Sequence, residues 1–440
     1  MPRFQRSQPG PRGRPVVGHV VEPYLFQTGS WVYGQLTHLK RYAPIVLTAR
    51  TENLDQFPFE PVFNYGTLGR TQKALLGLWK HRRRGLKDAF YERALRSRQA
   101  RLIHAHFGPA GVAMLGVKRA THLPLVTTFY GADVSAVPRA LTWRRHYARL
   151  FHEGDLFLAE GPAMRRALIG LGCAPEKVVV QHLGVALEQL PFSPRRPDPS
   201  GIVRILIAAT FREKKGIPDA LRAIAGARRV YPRLQITLLG DATQKPGDRE
   251  EKTRILALLP ALEGTVQCLG FQPHSVFRDA LLEHHLFLSP SRTARDGDTE
   301  GGVPVSLLEA QATGMPVLST RHADIPEVVV DGQSGLLSPE GDLETLTDNL
   351  TQLILTPARW AAMGAAGRAH VEAHHDLPTQ AAKLEDLYDR VLYSPSAFAM
   401  AEMHQWDRPV ACTRASRADL NAMARGVRSG PERMAHVPPT

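Results

Sequence analysis

The sequence predicts an α/β protein with two doubly wound parallel sheets, and three observations lead to this prediction. Short apolar runs bounded by turn residues alternate with helical stretches, which is typical of buried parallel strands and their crossover helices. Residues 191–201 contain four prolines and interrupt this alternation near the middle of the 440-residue chain. The same alternation restarts directly afterwards, which indicates a second half of similar design.

The first half begins with a strand–helix–strand unit. Residues 15–21 form an apolar run, and the turn Thr28-Gly29-Ser30 precedes a helical stretch at 31–41. An apolar run at 44–48 completes the unit. Further strands are predicted from short apolar runs at 101–106, 125–130, 156–159 and 178–180.

The second half repeats the scheme after the proline-rich segment. Strands are predicted at 203–209, 235–240, 266–269, 286–288 and 316–320, and helices at 217–230, 250–262, 343–355, 358–373 and 380–392. The predicted boundaries are a basic flexible N-terminus (1–14), a first Rossmann-like domain (15–192), a linker (193–201), a second Rossmann-like domain (202–375), a helix that crosses back to the first domain (376–393) and a flexible tail (394–440).

Composition places the chain among ordinary globular proteins. It is 43% apolar and 22% charged, and it contains no apolar run of the length that a membrane span needs. The N-terminal residues are basic without an apolar core, so we expect no secretory signal. Cys173, Cys268 and Cys412 lie far apart in sequence, which predicts a cytoplasmic protein without disulfides or a thiolate metal site.

The net charge of +13 concentrates between positions 80 and 101, where nine lysines and arginines face only Asp88 and Glu92. A solvated helix face explains such a patch. An anionic acceptor or peripheral contact with an anionic membrane surface explains it equally well. Nucleic acid fits less well because aromatic residues are sparse and no nucleic-acid motif accompanies the patch. The basic members are Lys80, Arg82, Arg83, Arg84, Lys87, Arg93, Arg96, Arg98 and Arg101.

The most informative segment runs from Asp296 to Thr320. An acidic loop leads into Gly301 and Gly302, and Pro304 stands where a short helix is predicted to begin. Such a loop offers backbone N–H groups to an anion such as a diphosphate. The helix carries Glu309 among apolar neighbours, and a carboxylate there needs donors. Two ribose hydroxyls would supply them, and an ion pair with a residue such as Arg321 is the alternative.

A second cationic loop, residues 208–217, follows the first strand of the second half. Open α/β sheets bind ligands at the carboxyl ends of their strands, and Arg212, Lys214 and Lys215 lie there just before a helix. Positive charge at this position suits a diphosphate leaving group. A solvent-exposed loop without a ligand is the alternative.

His104 and His106 occupy one predicted strand and raise the question of a metal site. We expect instead one exposed histidine near a cleft and one in the core, because no acidic third ligand lies nearby in sequence.

These motifs resemble the retaining GT-B glycosyltransferases of family four, in particular the bacterial exopolysaccharide and lipopolysaccharide branch. The similarity spans roughly residues 15–392 and is most specific in the second half. The matching stretches are 213–216, 296–320, 321–329 and 331–337, with 105–108, 128–133 and 171–178 in the first half.

The resemblance implies a GT-B fold, two Rossmann-like domains facing across a cleft, and a role for individual residues. Lys215 and Arg212 would contact the donor diphosphate, and Glu300 would face the donor sugar at the reacting centre. Donor binding would fall to Glu309, which takes the ribose, and to Gly301, Gly302, Val303, Pro304 and Thr210. The acceptor side would comprise His106, Gly108, Tyr130, Asp133, Thr28 and Gly29.

The sequence departs from the family pattern at four places. Eight residues separate Glu300 from Glu309 where the family has seven, and Thr210 replaces the usual arginine before the lysine loop. Tyr130 replaces a histidine on the acceptor side. The segment 184–186 ends in Ala186 rather than aspartate.

The function implied is transfer of a sugar, with retention, from a nucleotide-diphosphate sugar to a glycan or lipid-linked acceptor in cell-surface polysaccharide biosynthesis. No cofactor or metal is expected, and no nucleic-acid partner. The protein would be cytoplasmic, with contact to the inner membrane face through the basic patch. A sugar-nucleotide epimerase of the same fold and a non-catalytic scaffold are the alternatives.

Overall fold

The structure, a computed structural model, describes residues 13–26, 29–79 and 85–393. Several residues singled out above lie outside these described ranges. They are most of the basic N-terminus, Thr28, Lys80, Arg82, Arg83, Arg84, Cys412 and the tail from 394.

The first half is a seven-stranded parallel sheet with the strand order 3-2-1-4-5-6-7. Its strands are β1 (Val16–Val20), β2 (Ala43–Thr48), β3 (Val62–Asn64), β4 (Ala100–His106), β5 (Leu125–Thr128), β6 (Leu156–Ala159) and β7 (Val178–Val180). Its helices are α1 (Ser30–Thr37), α2 (Arg70–Trp79), α3 (Leu86–Ser97), α4 (Gly108–Thr121), α5 (Leu141–Glu153) and α6 (Pro162–Gly170).

The predicted helix at 31–41 is wrong at its C-terminal end. Helix α1 stops at Thr37, whose hydroxyl donates back to the carbonyl oxygens of Tyr33 and Gly34. The predicted strand at 125–130 also ends early, at Thr128, because the backbone N–H groups of Tyr130 and Gly131 bond to the side chain of Asp133 instead of a strand.

The second half is a six-stranded parallel sheet with the strand order 10-9-8-11-12-13, so the prediction of two doubly wound sheets is confirmed. Its strands are β8 (Val203–Ala208), β9 (Leu234–Leu239), β10 (Val266–Gly270), β11 (Leu286–Ser289), β12 (Val317–Thr320) and β13 (Gly335–Ser338). Its helices are α7 (Ile217–Arg228), α8 (Pro246–Leu256), α9 (His274–Glu283), α10 (Val305–Ala312), α11 (Leu343–Leu355) and α12 (Trp360–His374).

The predicted helix at 250–262 is two pieces. Helix α8 ends at Leu256, and a separate 3₁₀ turn covers Leu259–Leu262. Pro260 lies in that turn, and a proline removes the N–H that a continuing helix would use.

The proline-rich linker is anchored on the second half. The guanidinium of Arg195 is buried and donates to the carbonyl oxygens of Leu281, His284 and Thr313. A single charged side chain therefore satisfies several backbone acceptors and fixes the path of a segment that forms no helix or strand.

The last described helix, α13 (Leu377–Tyr393), lies against the first sheet. Its Glu385 accepts the backbone N–H of Arg41 at 2.6 Å, and its Asp389 accepts the Tyr42 hydroxyl at 2.6 Å. Tyr388 reaches His104 of β4. Helix α13, which follows the second half, therefore binds to the first half through these hydrogen bonds.

Each sheet has its own apolar core, and both belong to one compact unit. In both sheets the order of strands reverses beside the first strand, between β1 and β4 and between β8 and β11. Ligands bind in the crevice beyond the carboxyl ends of strands at such a point. Among the described residues, no helix combines the length and apolar character needed to cross a membrane.

Candidate functional site

A cavity of about 340 Å³ lies at the carboxyl ends of the strands, lined by residues of both halves. The loops after β1, β2, β4, β5, β6 and β7 supply one wall. The loops after β8, β9, β10 and β11 and the first turns of α9 and α10 supply the other. Of the predicted site residues, eight line it: Thr210, Arg212, Lys215, Glu300, Val303, Pro304, Glu309 and Tyr130.

The lysine loop lies against the acidic loop that the sequence singled out. Lys215 donates from Nζ to Oε2 of Glu300 at 2.8 Å, and Arg212 donates from Nη2 to Oδ2 of Asp298 at 2.6 Å. Two cations predicted to meet a diphosphate are therefore paired with carboxylates in the protein alone. A diphosphate entering the cavity would compete for these charges.

Glu300 is ionised despite its burial. Burial opposes the charged form, but the ammonium groups of Lys215 and Lys214 outweigh it and lower the pKa of this carboxyl to about 2. Ser291 donates its hydroxyl to Oε1 at 2.7 Å, and the Glu300 backbone N–H donates to His322 at 3.1 Å. The carboxylate is held rigidly at the cavity wall.

Lys214, which the sequence placed in the cationic loop beside Lys215, also lines the cavity. Its Nζ donates to the carbonyl oxygen of Thr299 at 2.7 Å and lies 3.3 Å from Asp298. The residue is buried, and burial lowers the pKa of its ammonium group. Lys214 therefore shapes the acidic loop, whereas its neighbour Lys215 is the more accessible cation.

Glu309 sits on the first turns of α10, whose N-terminus is capped by the turn at Pro304. Its partner is His274 of α9, with Nε2 2.9 Å from Oε1. The expected alternative partner, Arg321, instead pairs with Asp331. Glu309 faces the cavity, so a ribose could take the place of the imidazole.

Gly301 and Gly302 do not line the cavity. They lie where the two halves touch: a Cβ on Gly301 would stand 2.3 Å from Cα of Gly131, and one on Gly302 1.8 Å from Oε2 of Glu160. Gly301 also has a φ of +78°. Only glycine allows this close approach, so Gly301 and Gly302 serve the contact between the halves.

Tyr130 lies on the acceptor side of the cavity, and its hydroxyl shares a 2.6 Å hydrogen bond with Nδ1 of His106. Burial raises the pKa of the Tyr130 hydroxyl well above its usual value. The group is therefore a neutral hydrogen-bonding phenol at physiological pH, where the related family carries a histidine.

The expectation for His104 and His106 is wrong: both are fully buried, because residues two apart on a strand face the same side. His19 of β1 joins them, and ligand nitrogens of all three lie within 4.8 Å of one another. Burial lowers the pKa of His106 to about 3, so the rings are neutral. Hydrogen bonds occupy both nitrogens of His104 and of His106, and only Nε2 of His19 lacks a described partner.

The remaining acceptor-side residues build the loops instead of lining the cavity. Asp133 is buried and accepts the backbone N–H groups of Gly108, Tyr130 and Gly131 at 2.8–3.0 Å. A Cβ on Gly108 would lie 2.5 Å from the rings of Phe129 and Tyr147. Gly29 precedes α1 and is buried.

Four further residues that line the cavity were not predicted from the sequence: His274, Glu160, Trp31 and Phe107. They come from separate parts of the chain, and no local pattern in the sequence brings them together.

Comparison with known proteins agrees with this geometry. Residues 36–189 match Glycosyltransferase Family 4 and residues 203–356 match Glycosyl transferases group 1. The amylovoran biosynthesis glycosyltransferase AmsK of Erwinia amylovora is 33% identical over 288 residues, which are 65% of this chain and 69% of that relative. The chain also matches two further relatives, over 60% of the length of one and 59% of the length of the other.

More distant proteins share the architecture. A GDP-mannose-dependent alpha-(1-6)-phosphatidylinositol monomannoside mannosyltransferase of Mycolicibacterium smegmatis is 29% identical over 67% of this chain and 80% of that relative. The crystal structure of HepE from Anabaena in complex with UDP and glucose superposes with a TM-score of 0.69 at 19% identity, covering 86% of this chain and 100% of that one. The chain is a glycosyltransferase of family four with the GT-B fold.

Proposed function

We propose that the protein transfers a sugar, with retention of configuration, from a nucleotide-diphosphate sugar to a glycan or lipid-linked acceptor in cell-surface polysaccharide biosynthesis. The observation that carries the proposal is the cavity between the two halves. Arg212, Lys215 and Glu309 all line this one cavity, together with residues of the first half. The relatives named for amylovoran biosynthesis and for mannosyl transfer support a transferase over an epimerase or a scaffold.

The proposed step breaks the bond between the anomeric carbon and the diphosphate oxygen. The acceptor oxygen forms a new bond to that carbon on the same face, and the acceptor proton passes to the departing phosphate oxygen. Charge grows on the diphosphate as the bond breaks, so fixed cations beside it lower the barrier.

Lys215 and Arg212 would supply that charge by leaving Glu300 and Asp298, and Thr210 lies beside them at the cavity wall. Glu300, held by Ser291, would then face the transferred sugar. Glu309 would accept the ribose hydroxyls in place of His274. Val303 and Pro304 would bracket the diphosphate at the start of α10.

We propose that no metal takes part. The cavity carries cations of its own, as the paired lysine and arginine residues illustrate. The three buried histidines are bonded to protein groups, with the exception of one nitrogen of His19.

Peripheral contact with an anionic membrane is also proposed. Of the basic patch, Lys87 pairs with Glu22 and Arg96 with Glu92, while Arg101 is exposed. Replacing Arg82, Arg83 and Arg84 by glutamine should weaken binding to phosphatidylglycerol vesicles. Glutamine at Arg222, Arg228 and Arg229 serves as the matched control. Vesicle binding that is equal in both triple variants would overturn the proposal.

The site assignment is tested by turnover of a panel of nucleotide sugars. Lys215→Ala and Glu309→Ala should each lower turnover about 100-fold. Lys252→Ala and Glu327→Ala, in the same half, are controls expected to leave it unchanged. Near-normal turnover in both site variants, with native far-UV spectra, would refute the assignment.

A further inference from the structure

Glu160 is a carboxyl group at the cavity that the roles assigned so far do not use. It follows β6 directly, in the first half, and its side chain is 8% exposed. Within the described part of the chain, no hydrogen bond or ion pair joins its carboxyl group to another residue. Its backbone is fixed, because its carbonyl oxygen accepts from Nδ1 of His182 at 2.8 Å.

The surroundings of Glu160 disfavour a negative charge. Burial is the largest of the effects that disfavour the charged form of Glu160. The carboxylates of Asp133, Asp324 and Glu300 lie close enough to add to this effect. Together they raise the pKa of Glu160 well above its usual value, and Lys214 opposes them only weakly. A neutral carboxyl keeps an O–H donor, so the group can offer a hydrogen bond to an oxygen in the cavity.

Aromatic rings cover the wall beside Glu160. The ring centroids of Trp31 and Tyr130 are 4.2 Å apart, and those of Phe107 and Tyr130 are 4.7 Å apart. All three residues line the cavity. Such rings make a large apolar surface beside a few convergent polar groups, which is how small-molecule sites select an orientation.

Phe107 is held in this wall by an unusual backbone conformation. Its φ is +73°, a region that non-glycine residues rarely adopt. The residue links β4 to α4, and its N–H donates to the carbonyl oxygen of Thr128. Strain of this kind persists where the surroundings enforce it, and it clusters at ligand sites.

We propose that Trp31, Phe107 and Tyr130 form an acceptor subsite for a pyranose ring, and that the carboxyl group of Glu160, which lines the same cavity without a partner among the described residues, donates a hydrogen bond to an oxygen atom of that sugar. The ring would lie with its C–H face on the aromatic wall. This inference rests on the proposed transferase function and adds the class of acceptor: the terminal residue is a sugar, not a lipid phosphate alone.

Saturation-transfer NMR with methyl glucoside, methyl galactoside and methyl mannoside tests the subsite. The full chain is first saturated with UDP or GDP. At least one glycoside should show transfer to its ring C–H protons. Glu160→Ala and Trp31→Ala should raise its dissociation constant about tenfold. Glu160→Gln and Trp31→Phe, which keep the donor and the aromatic face, should stay within about threefold, as should the surface control Glu176→Ala.

The outcomes separate the subsite from the proposed function. Failure of all three glycosides to bind the wild-type protein, or equal binding by all variants, overturns the subsite. If Glu160→Gln raises the glycoside dissociation constant as much as Glu160→Ala does, the role of Glu160 as a neutral hydrogen-bond donor is overturned. Absence of UDP and GDP binding to the wild-type protein contradicts the transferase function itself. Unchanged nucleotide binding in every variant shows that the fold and the donor half are intact.

Discussion

The carboxylate of Asp324 accepts the backbone N–H of Ala163 at 2.6 Å and that of Met164 at 3.2 Å. Asp324 belongs to the second half of the chain, and the two N–H groups begin α6 in the first half. A Cβ on Gly161, the residue before α6, would lie 2.3 Å from Cγ of Asp324. One half therefore caps a helix of the other, and the contact holds the cavity walls together.

Removal of this cap should loosen the contact between the halves. Asp324→Ala is expected to lower the free energy of unfolding by about 1 kcal/mol, the usual cost of losing an N-cap. Asp342→Ala is the matched control, since Asp342 caps α11 within the second half alone by accepting the Thr345 N–H. Both variants should lose similar stability in urea unfolding. Only Asp324→Ala should increase the radius of gyration in X-ray scattering. An unchanged radius would contradict a role for Asp324 in holding the two halves together.

The same contact should respond to pH. Burial raises the pKa of Asp324 to about 6, although the two backbone donors oppose the shift. A raised carboxyl pKa favours the neutral form in the folded protein. Its contribution to stability is full below the ordinary pKa and is lost as pH rises through about 6. Relative to Asp324→Asn, the wild-type protein should lose about 3 kcal/mol of unfolding free energy between pH 4 and 7. Parallel pH profiles for the two proteins would rule this out.

The two adjacent lysines should behave differently. Lys214→Met removes the buried partner of Asp298 and Thr299 and should cost about 3 kcal/mol of unfolding free energy, because it leaves a buried carboxylate less compensated. Lys215→Met also leaves the buried Glu300 carboxylate less compensated and should lower the melting temperature, but unlike Lys214→Met it should also lower turnover about 100-fold. Turnover is measured for both variants at a temperature where thermal melts show both to be folded. A loss of turnover of about 100-fold in Lys214→Met, with near-normal turnover in Lys215→Met, would show that Lys214 is the donor contact.

Chelation tests the proposed metal independence. Dialysis against EDTA should leave sugar transfer unchanged, because the charge on the diphosphate is met by Lys215 and Arg212. His19→Ala serves as a parallel variant, since it removes one of the three clustered imidazoles. Activity that disappears with EDTA and returns with zinc would contradict the proposal and direct attention to this cluster.

Much of the fold could be predicted because local patterns determine it. The run Leu156–Ala159 is apolar and bounded by turn residues, and it forms β6 with the predicted limits. The helix α11 also has its predicted limits, since Asp342 supplies a cap and the apolar residues recur at helical spacing. The end of α1 was missed because no glycine or proline lies between Gln35 and Ala43 to mark it.

The candidate site was only partly predictable. Lys215 and Glu300 stand in loops whose composition already indicates an anion site, and Glu309 stands on the short helix that follows the second of them. Local composition does not indicate which residues will be their partners. His274, for example, reaches Glu309 from α9, 35 residues earlier in the chain. Glu160 joins the same cavity from the other half. Such juxtapositions follow from how the two sheets face each other, which no local spacing encodes.

The most direct measurement is calorimetric titration of the full chain with UDP and with GDP, in the wild-type protein and in Glu309→Gln. We expect one of the two nucleotides to bind the wild-type protein. Loss of the Glu309 carboxylate, an acceptor for the ribose hydroxyls, should weaken that affinity at least tenfold. Failure of both nucleotides to bind the wild-type protein, or equal affinity in Glu309→Gln, would contradict the donor site.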